Sequence, residues 1–568
     1  MAPEPDTARP TNAAVVPCRA THKLVHTHRN RKGFRNGHDP PQLRHRRKRR
    51  HRRRHGLLRG SGRDRPRRGR AGRRDTLEAD IVIAGAGAAG MFAAVEACRA
   101  GKSVIVVEKG SSIGMANGAL AGGPFVVQST AQKEAGIDIT VEHAFNHMMD
   151  WAHWSIVAPV VKKCLELSGE TVDMFTTEFG IETYMRPDNY GSGFDSVRIG
   201  FGTKEKGVRG EDRWLPLEQW CEERGAQFVF DCALESLIVE DGAVMGMHCV
   251  YGDGTKVDVR GKKTLVATGG FLGNEEMMIE RYGTKVNALG NTLSDGAGIN
   301  SVVAAGGMYG TQWGLCGNEF TGSSDKVTPV YDRKNPAFCC GIYGGLMVNH
   351  FGRRFANEAK FANFPLAIGG AISLVGGTYY CIVDQAYVDA LEGSDAYTVN
   401  GSDEENWPTG KMTLSGKALE GVQAGFDTAC EEGWCYKADS IEELAEAIAC
   451  PALVKTIEEY NADCAEGVDN FMGKPASFMN AIEQGPFYAL EFQPSGWTSM
   501  GGVKTNDRLQ SIDRTGAAVP NLFVAGADNG STISTPYCDY EGTSLMTAYN
   551  CGRLAGMWMS EDIDAEAE

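Results

Sequence analysis

The sequence predicts an α/β fold built on a parallel sheet, and three observations carry that expectation. The first is the run Ile81-Val82-Ile83-Ala84-Gly85-Ala86-Gly87-Ala88-Ala89-Gly90, followed by Met91-Phe92-Ala93-Ala94-Val95. A buried strand here enters a glycine turn and then a small-residue helix. Gly85 permits the tight turn, Gly87 lets backbone approach a diphosphate, and Gly90 lets helix and strand pack closely. The N–H groups of the helix start, at Ala88 and Ala89, can receive phosphate charge. The second observation is Ser103-Val104-Ile105-Val106-Val107, an apolar run ending in Glu108-Lys109. Glu108 falls at the distance expected of an acid that hydrogen-bonds a ribose hydroxyl. The third is a series of later apolar runs, at 227–230, 236–239, 243–250 and 263–270, the last closing in Ala267-Thr268-Gly269-Gly270. Strand, turn, helix, strand and acid in this order define a Rossmann-type dinucleotide-binding domain.

Composition sets the outer bounds. The 568 residues suffice for two or three cores. The net charge of −14 hides a division. About two dozen of the 58 Lys+Arg precede residue 75, including Arg44-His45-Arg46-Arg47-Lys48-Arg49-Arg50. The remainder is strongly acidic, which excludes nucleic-acid binding through the folded body.

Residues 1–75 are low in complexity and rich in Arg, His, Pro and Gly, so no core is expected of them. A disordered basic tail, a basic docking arm and a GC-rich stretch read from too early a start all fit that composition. Its apolar run Gly56-Leu57-Leu58 is too short for a secretory signal.

The 16 cysteines are scattered without a C-x-x-C pair, which argues against a zinc ribbon or covalent haem. Reduced thiols and a cytoplasmic setting are the corresponding expectation. His143 and His147 share a helical face but lack a third ligand, so no metal is expected. No apolar run reaches the length of a membrane span.

Along the chain, the loop Ile113–Pro124 places Asn117, Gly118, Gly122 and Gly123 where a flat, extended ligand could lie against backbone. Residues 138–180 have helical spacing, with Trp151, Trp154, Val157, Val160 and Val161 at core positions. Asp295, in Leu293-Ser294-Asp295-Gly296-Ala297-Gly298, is placed to cap a helix or make a polar contact. Near the C-terminus, Leu522-Phe523-Val524-Ala525-Gly526-Ala527 is a second buried strand ending in small residues. Gly542-Thr543-Ser544-Leu545 then opens a helix whose N-terminus suits an electron-rich ring edge.

These motifs stand in a fixed order with Gly345-Leu346-Met347-Val348-Asn349-His350-Phe351-Gly352-Arg353-Arg354-Phe355-Ala356-Asn357-Glu358, Met500-Gly501-Gly502-Val503 and Gly552-Arg553-Leu554-Ala555-Gly556. The set resembles the flavoprotein superfamily of fumarate reductases, succinate dehydrogenases and 3-ketosteroid dehydrogenases over residues 77–560. The resemblance implies FAD. With no histidine in the 113–124 loop, the flavin is expected to be held noncovalently. It also implies a discontinuous FAD-binding domain (76–310 and 488–560) and an inserted α+β capping domain (311–487), with substrate between cap and flavin.

The chain departs from the family at the groups that clamp a dicarboxylate. Trp497-Thr498-Ser499-Met500 lacks the family's histidine, and Tyr537-Cys538-Asp539-Tyr540-Glu541 lacks its arginine. Ala359-Lys360-Phe361-Ala362 has no arginine acid, and Gln312-Trp313-Gly314-Leu315 lacks a second histidine. With Asp539 and Glu541 added, a dianion should be repelled. Trp313, Tyr343, Trp497, Tyr537 and Tyr540 instead suit a flat, largely neutral molecule such as a steroid, flavonoid or isoflavan.

The expected activity is hydride transfer from flavin N5 to such an acceptor, as in flavonoid, isoflavan and steroid reductases. Tyr540 or Tyr537 is the expected proton donor, Lys360 the next. Glu358 is either catalytic or a structural partner of Arg353 or Arg354. A 3-ketosteroid 1-dehydrogenase, a fumarate reductase and an FAD-bearing electron-transfer subunit are the alternative readings. No second GxGxxG exists for a nicotinamide, so electrons are expected from an external flavin, ferredoxin or haem protein.

Overall fold

A computed structural model describes residues 75–185, 198–203, 206–316, 335–338, 345–359, 371, 374–394, 419–538 and 540–568, and the backbone of 319–322. Its centre is an eight-stranded sheet. Five strands lie parallel in the order Ala518–Val524, Lys256–Val266, Asp75–Ala84, Val104–Val107, Gln227–Val229, and Gln510–Ile512 joins the outer edge antiparallel. A hairpin, Cys232–Glu240 with Ala243–Tyr251, pairs antiparallel onto Lys256–Val266. The apolar runs become strands because both faces of the central ones are covered. Ile81, Val82 and Ile83 have no exposed surface, and burying each such side chain contributes about 1.5–3 kcal/mol.

Two strands exceed the sequence expectation. The hairpin strand begins at Cys232 and the central strand at Lys256. Lys256-Val257-Asp258-Val259-Arg260 alternates in burial, as a strand covered on one face does. Polar residues on its open face weaken the apolar signal.

The helix Ala88–Arg99 lies between the sheet and the long C-terminal helix Thr543–Ala567. Small residues set their separation. A Cβ on Gly552 would lie 2.2 Å from the Ala89 carbonyl oxygen, and one on Gly556 would lie 2.5 Å from that of Ala93. Arg553 locks the pair, its Nε donating to Glu96 at 2.5 Å and Nη2 to Glu170 at 2.8 Å.

Residues 138–180 form two helices, Val141–Trp151 and Ala158–Thr177, rather than one. His153 and Trp154 between them have φ of +47° and +56°. That break corrects one expectation. Trp154 is 57 % exposed, turned out of the core by the left-handed step, while Trp151 donates its indole N–H to the Pro536 carbonyl.

A second, six-stranded sheet centres on Phe487–Gly496, which pairs antiparallel with Tyr379–Asp384, Cys435–Ala438 and Glu319–Gly322. Leu346–Asn349 extends it beyond Tyr379–Asp384. Asn287–Ala288 joins it in parallel, so this sheet also recruits chain from before residue 311. Among the described residues, no helix is long and apolar enough to cross a membrane.

Candidate active site

The carboxyl ends of the parallel strands open into a cleft of about 520 Å³, a size typical of small-molecule sites. The turn after the first strand forms one wall. Gly85 has φ of +101°, and a Cβ there would lie 2.3 Å from the Ala267 carbonyl oxygen. Gly87, Ala88 and Ala89 line the cleft, and no side chain caps the helix that begins here. Its N–H groups therefore face the cleft as anion donors. Gly90 does not line it. A Cβ there would lie 1.9 Å from the Gly85 carbonyl oxygen, so Gly90 serves the packing of turn on helix.

Glu108 also lines the cleft. Its two carboxylate oxygens accept the N–H groups of Ala86 at 2.8 Å and Gly110 at 2.7 Å. Each oxygen keeps a lone pair for a hydroxyl, as a ribose would require. Beside it, Lys109 Nζ donates to Asp295 Oδ2 at 2.7 Å and to the Leu293 carbonyl at 3.0 Å. Asp295 Oδ1 also accepts the N–H of Ala297, the first residue of the following helix, at 3.1 Å. Burial opposes ionisation of Asp295, but Lys109 and the Ala297 N–H hold its carboxyl below the usual range.

The opposite wall is the 113–124 loop. Asn117, Gly118, Gly122 and Gly123 line the cleft with Thr268, Gly269, Gly526, Ala527, Gly542, Ser544 and Leu545. Asn117 ties the loop in place, accepting the Asn291 N–H at 2.5 Å and donating to the Trp497 carbonyl at 2.9 Å. Nothing in its spacing announced Asn291. Asp528 is a second residue that sequence reasoning missed. It is fully buried and accepts from Thr268 N–H, from Thr268 Oγ1 at 2.8 Å and from Gly270 N–H at 2.9 Å. Burial pushes its carboxyl up, and these donors partly offset the rise. Asp528 thus joins the two glycine turns that floor the cleft. Its place two residues after Gly526 was the available signal.

The five aromatic candidates divide. Trp497 and Tyr537 line the cleft. Trp313 packs edge-on against Phe271 and Tyr309, with the Arg281 guanidinium 5.1 Å from its ring centre. Tyr540 is fully buried, stacked on Phe125 at 4.6 Å and against His147 at 4.4 Å, and is not among the cleft's lining residues. Tyr343, Lys360 and Asp539 lie outside the described residues.

Tyr537 occupies a distinctive position. Its phenolic oxygen accepts the N–H groups of Gly542 at 3.1 Å and Ser544 at 3.0 Å, at the N-terminus of the 25-residue C-terminal helix. The phenolic oxygen therefore sits against the N-terminus of that helix, with the Thr543 side chain also beside it. Burial raises the phenol pKa well above its ordinary value and Cys316 adds to the rise, while the Ser544 N–H draws it down.

Glu358 is paired with Arg354. It is buried and lies outside the cleft lining. Arg354 donates to it through Nη2 at 2.9 Å, the Met347 N–H at 3.1 Å, and Lys474 lies 3.5 Å away. Arg354 also holds Asp469, at 2.9 and 2.8 Å. Glu541 is likewise not a bare negative charge. It accepts from Arg198 Nη1 at 2.7 Å, and both line the cleft. Arg198 lies far from Glu541 in sequence, so no local pattern revealed the pair.

A parallel-sheet fold whose strand ends carry an uncapped helix N-terminus, a glycine turn and a ribose-competent acid defines a dinucleotide-binding protein. The chain belongs to the FAD binding domain family, which matches residues 80–545. It is an FAD-dependent oxidoreductase. It is 26 % identical over 488 residues to the vinyl phenol reductase of Lactiplantibacillus plantarum, covering 84 % of this chain and 95 % of that protein. It is 27 % identical over 496 residues to the urocanate reductase of Eggerthella lenta, covering 85 % of this chain and 74 % of that one. Its fold matches the 3-ketosteroid-Δ4-(5α)-dehydrogenase of Rhodococcus jostii with a TM-score of 0.60, at 23 % identity over 86 % of this chain and 98 % of that structure.

FAD fits the cleft on the chain's own geometry. The uncapped helix start suits the diphosphate, Glu108 the ribose, and the glycine walls leave room for a flat ring against backbone.

Proposed function

We propose that this flavoprotein reduces a carbon–carbon double bond conjugated to an aromatic ring or ketone in a flat, largely neutral acceptor. A vinyl phenol, flavonoid, isoflavan precursor or steroidal enone has that chemistry. Vinyl phenol is the substrate named for one relative spanning most of this chain. The FAD is held noncovalently, and its reduced form supplies hydride at N5 when bound.

The observation that carries the reading is the pairing of charge along the cleft. Lys109 is matched by Asp295 and Arg198 by Glu541. Among the described lining residues only the exposed Arg209 is a further cation, and a dicarboxylate needs two matched clamps. The Arg198–Glu541 pair gives a substrate hydroxyl or ketone both a donor and an acceptor without net charge. Trp497, 41 % exposed, lines the cleft and suits a planar aromatic substrate.

Tyr537 is the proposed proton donor. It keeps its proton at neutral pH because it is buried, and it releases that proton into a site where two N–H groups stabilise the phenolate left behind. Tyr537 would deliver the proton to the alkene carbon that does not receive hydride, and water would then restore the phenol. An external reduced flavin, ferredoxin or haem protein supplies electrons.

Anaerobic turnover with reduced methyl viologen tests the reading. The dye should bleach when the isolated chain, loaded with FAD, meets 4-vinylphenol or a steroidal enone. Fumarate should leave it coloured. Bleaching by fumarate alone would reject the substrate class, and no bleaching with any acceptor would make the chain an electron-transfer subunit.

A further inference from the structure

Behind the 113–124 loop lies a buried cation that the proposed reaction does not use. Arg213, on the helix Glu211–Glu222, has no exposed surface. Its guanidinium donates to the carbonyls of Ala121 at 2.9 Å, Gly118 at 2.5 Å and Ala119. The Phe201 and Trp214 rings lie 4.6 and 5.3 Å from it.

Four arginines are buried among the described residues. Arg354 is paired with Glu358 and Asp469, Arg553 with Glu96 and Glu170, and Arg198 with Glu541. Arg213 has no carboxylate partner among the described residues, and its Nε has no hydrogen-bond partner there. Three carbonyls and two ring faces solvate the charge without neutralising it. An ion buried without a counter-charge costs several kcal/mol, so such a group is retained where something else supplies the opposite sign.

The carbonyls it grips belong to a loop whose other face lines the cleft, through Gly118, Ala121, Gly122 and Gly123. Gly118 packs on the start of the first helix, where a Cβ would lie 2.7 Å from the Ala88 side chain. The neighbouring Trp214 donates to the Ala86 carbonyl at 3.3 Å. One helix therefore braces the 113–124 loop and the Gly85–Gly90 turn from behind.

We infer that Arg213 is the counter-cation of the bound FAD diphosphate, acting from behind the glycine loop without touching the cofactor. It is a positioning and electrostatic residue rather than a catalytic one, and the inference rests on FAD occupying this cleft. Burial lowers its pKa, an effect that the nearby Arg209 reinforces and Tyr549 opposes. Tyr549, pushed up to about 12 by burial, does not ionise near neutrality. Glu211 and Asp212, in the first turn of the same helix, are exposed.

The test titrates apoprotein with FAD and, separately, with riboflavin, which lacks the diphosphate. Arg213→Gln should weaken FAD about tenfold or more, as loss of one partly screened charge interaction predicts, and leave riboflavin binding unchanged. Arg213→Lys should retain most of the affinity at pH 7 and lose it towards pH 9, because burial favours the neutral amine, while the unsubstituted chain stays flat. Equal weakening of FAD and riboflavin by both variants would reduce Arg213 to a scaffold for the loop. Unchanged FAD binding in Arg213→Gln would also overturn the inference. If Arg213→Gln does not fold, a flat pH profile for Arg213→Lys is the contrary result. Failure of the unsubstituted chain to bind FAD would count against the cleft's occupant, not against Arg213.

Discussion

Replacing Tyr537 by phenylalanine should lower the rate of substrate reduction about 10²–10⁴-fold, the usual contribution of a positioned general acid. FAD content and the rate of flavin reduction by dithionite should remain those of the unsubstituted chain. The ring packs as before; only the hydroxyl is lost. Two N–H groups at the start of the C-terminal helix lose their acceptor, a cost of about 1–3 kcal/mol in stability that does not require loss of fold. Tyr540→Phe should leave the rate near its original value, since that ring is stacked beneath Phe125 and is not among the lining residues. Stopped-flow reoxidation of reduced flavin by the acceptor separates the two variants. A fast Tyr537→Phe beside a slow Tyr540→Phe would reverse the assignment.

The second large effect concerns stability. Glu358→Ala should destabilise the chain by about 3–5 kcal/mol, because it strips a carboxylate from two buried cations. Burial lowers the pKa of Lys474, while Glu358 raises it, so the alanine variant should lower it further and leave Arg354 dependent on Asp469. Glu358→Gln keeps an acceptor for the Met347 N–H and should lose less. Asp469 adds a pH signature. Burial alone would raise its carboxyl, but Arg354 and the N–H groups of Met472 and Lys474 hold it well below the usual 3.8. Its stabilising contribution is therefore fully present above about pH 4 and is lost as pH falls through the depressed value. Urea unfolding at neutral and acid pH reads both effects. If Glu358→Gln is as stable as the unsubstituted chain but inactive, Glu358 belongs to the chemistry after all.

The sequence made the central sheet and the turn at Gly85–Gly90 legible because a fully covered parallel strand leaves an unbroken apolar run. Glu108, Asp295 and the glycines of the 113–124 loop are similarly local signals, and the structure brings them to one cleft. What stayed hidden depends on distant pairings. Arg198 meets Glu541 across 343 residues, Asn291 meets Asn117 across 174, and Asp528 reaches Thr268 across 260. Arg213 lies in a mostly polar helix with weak apolar periodicity, where an arginine reads as solvent-facing until a loop is seen to cover it. Tyr537 and Tyr540 could not be ranked by spacing, because their turn runs outside any regular periodicity. Trp154 was misplaced for a related reason: helical spacing does not reveal a left-handed step.

The central claim is that reduced FAD in this cleft passes hydride to a neutral conjugated alkene. It is tested most directly by one anaerobic mixing experiment. Holoprotein photoreduced to the colourless flavin and mixed with 4-vinylphenol should regain its yellow absorbance in a single exponential, with 4-ethylphenol formed in equal amount. Recovery of colour with fumarate and succinate formation, and none with the vinyl compound, would contradict the account.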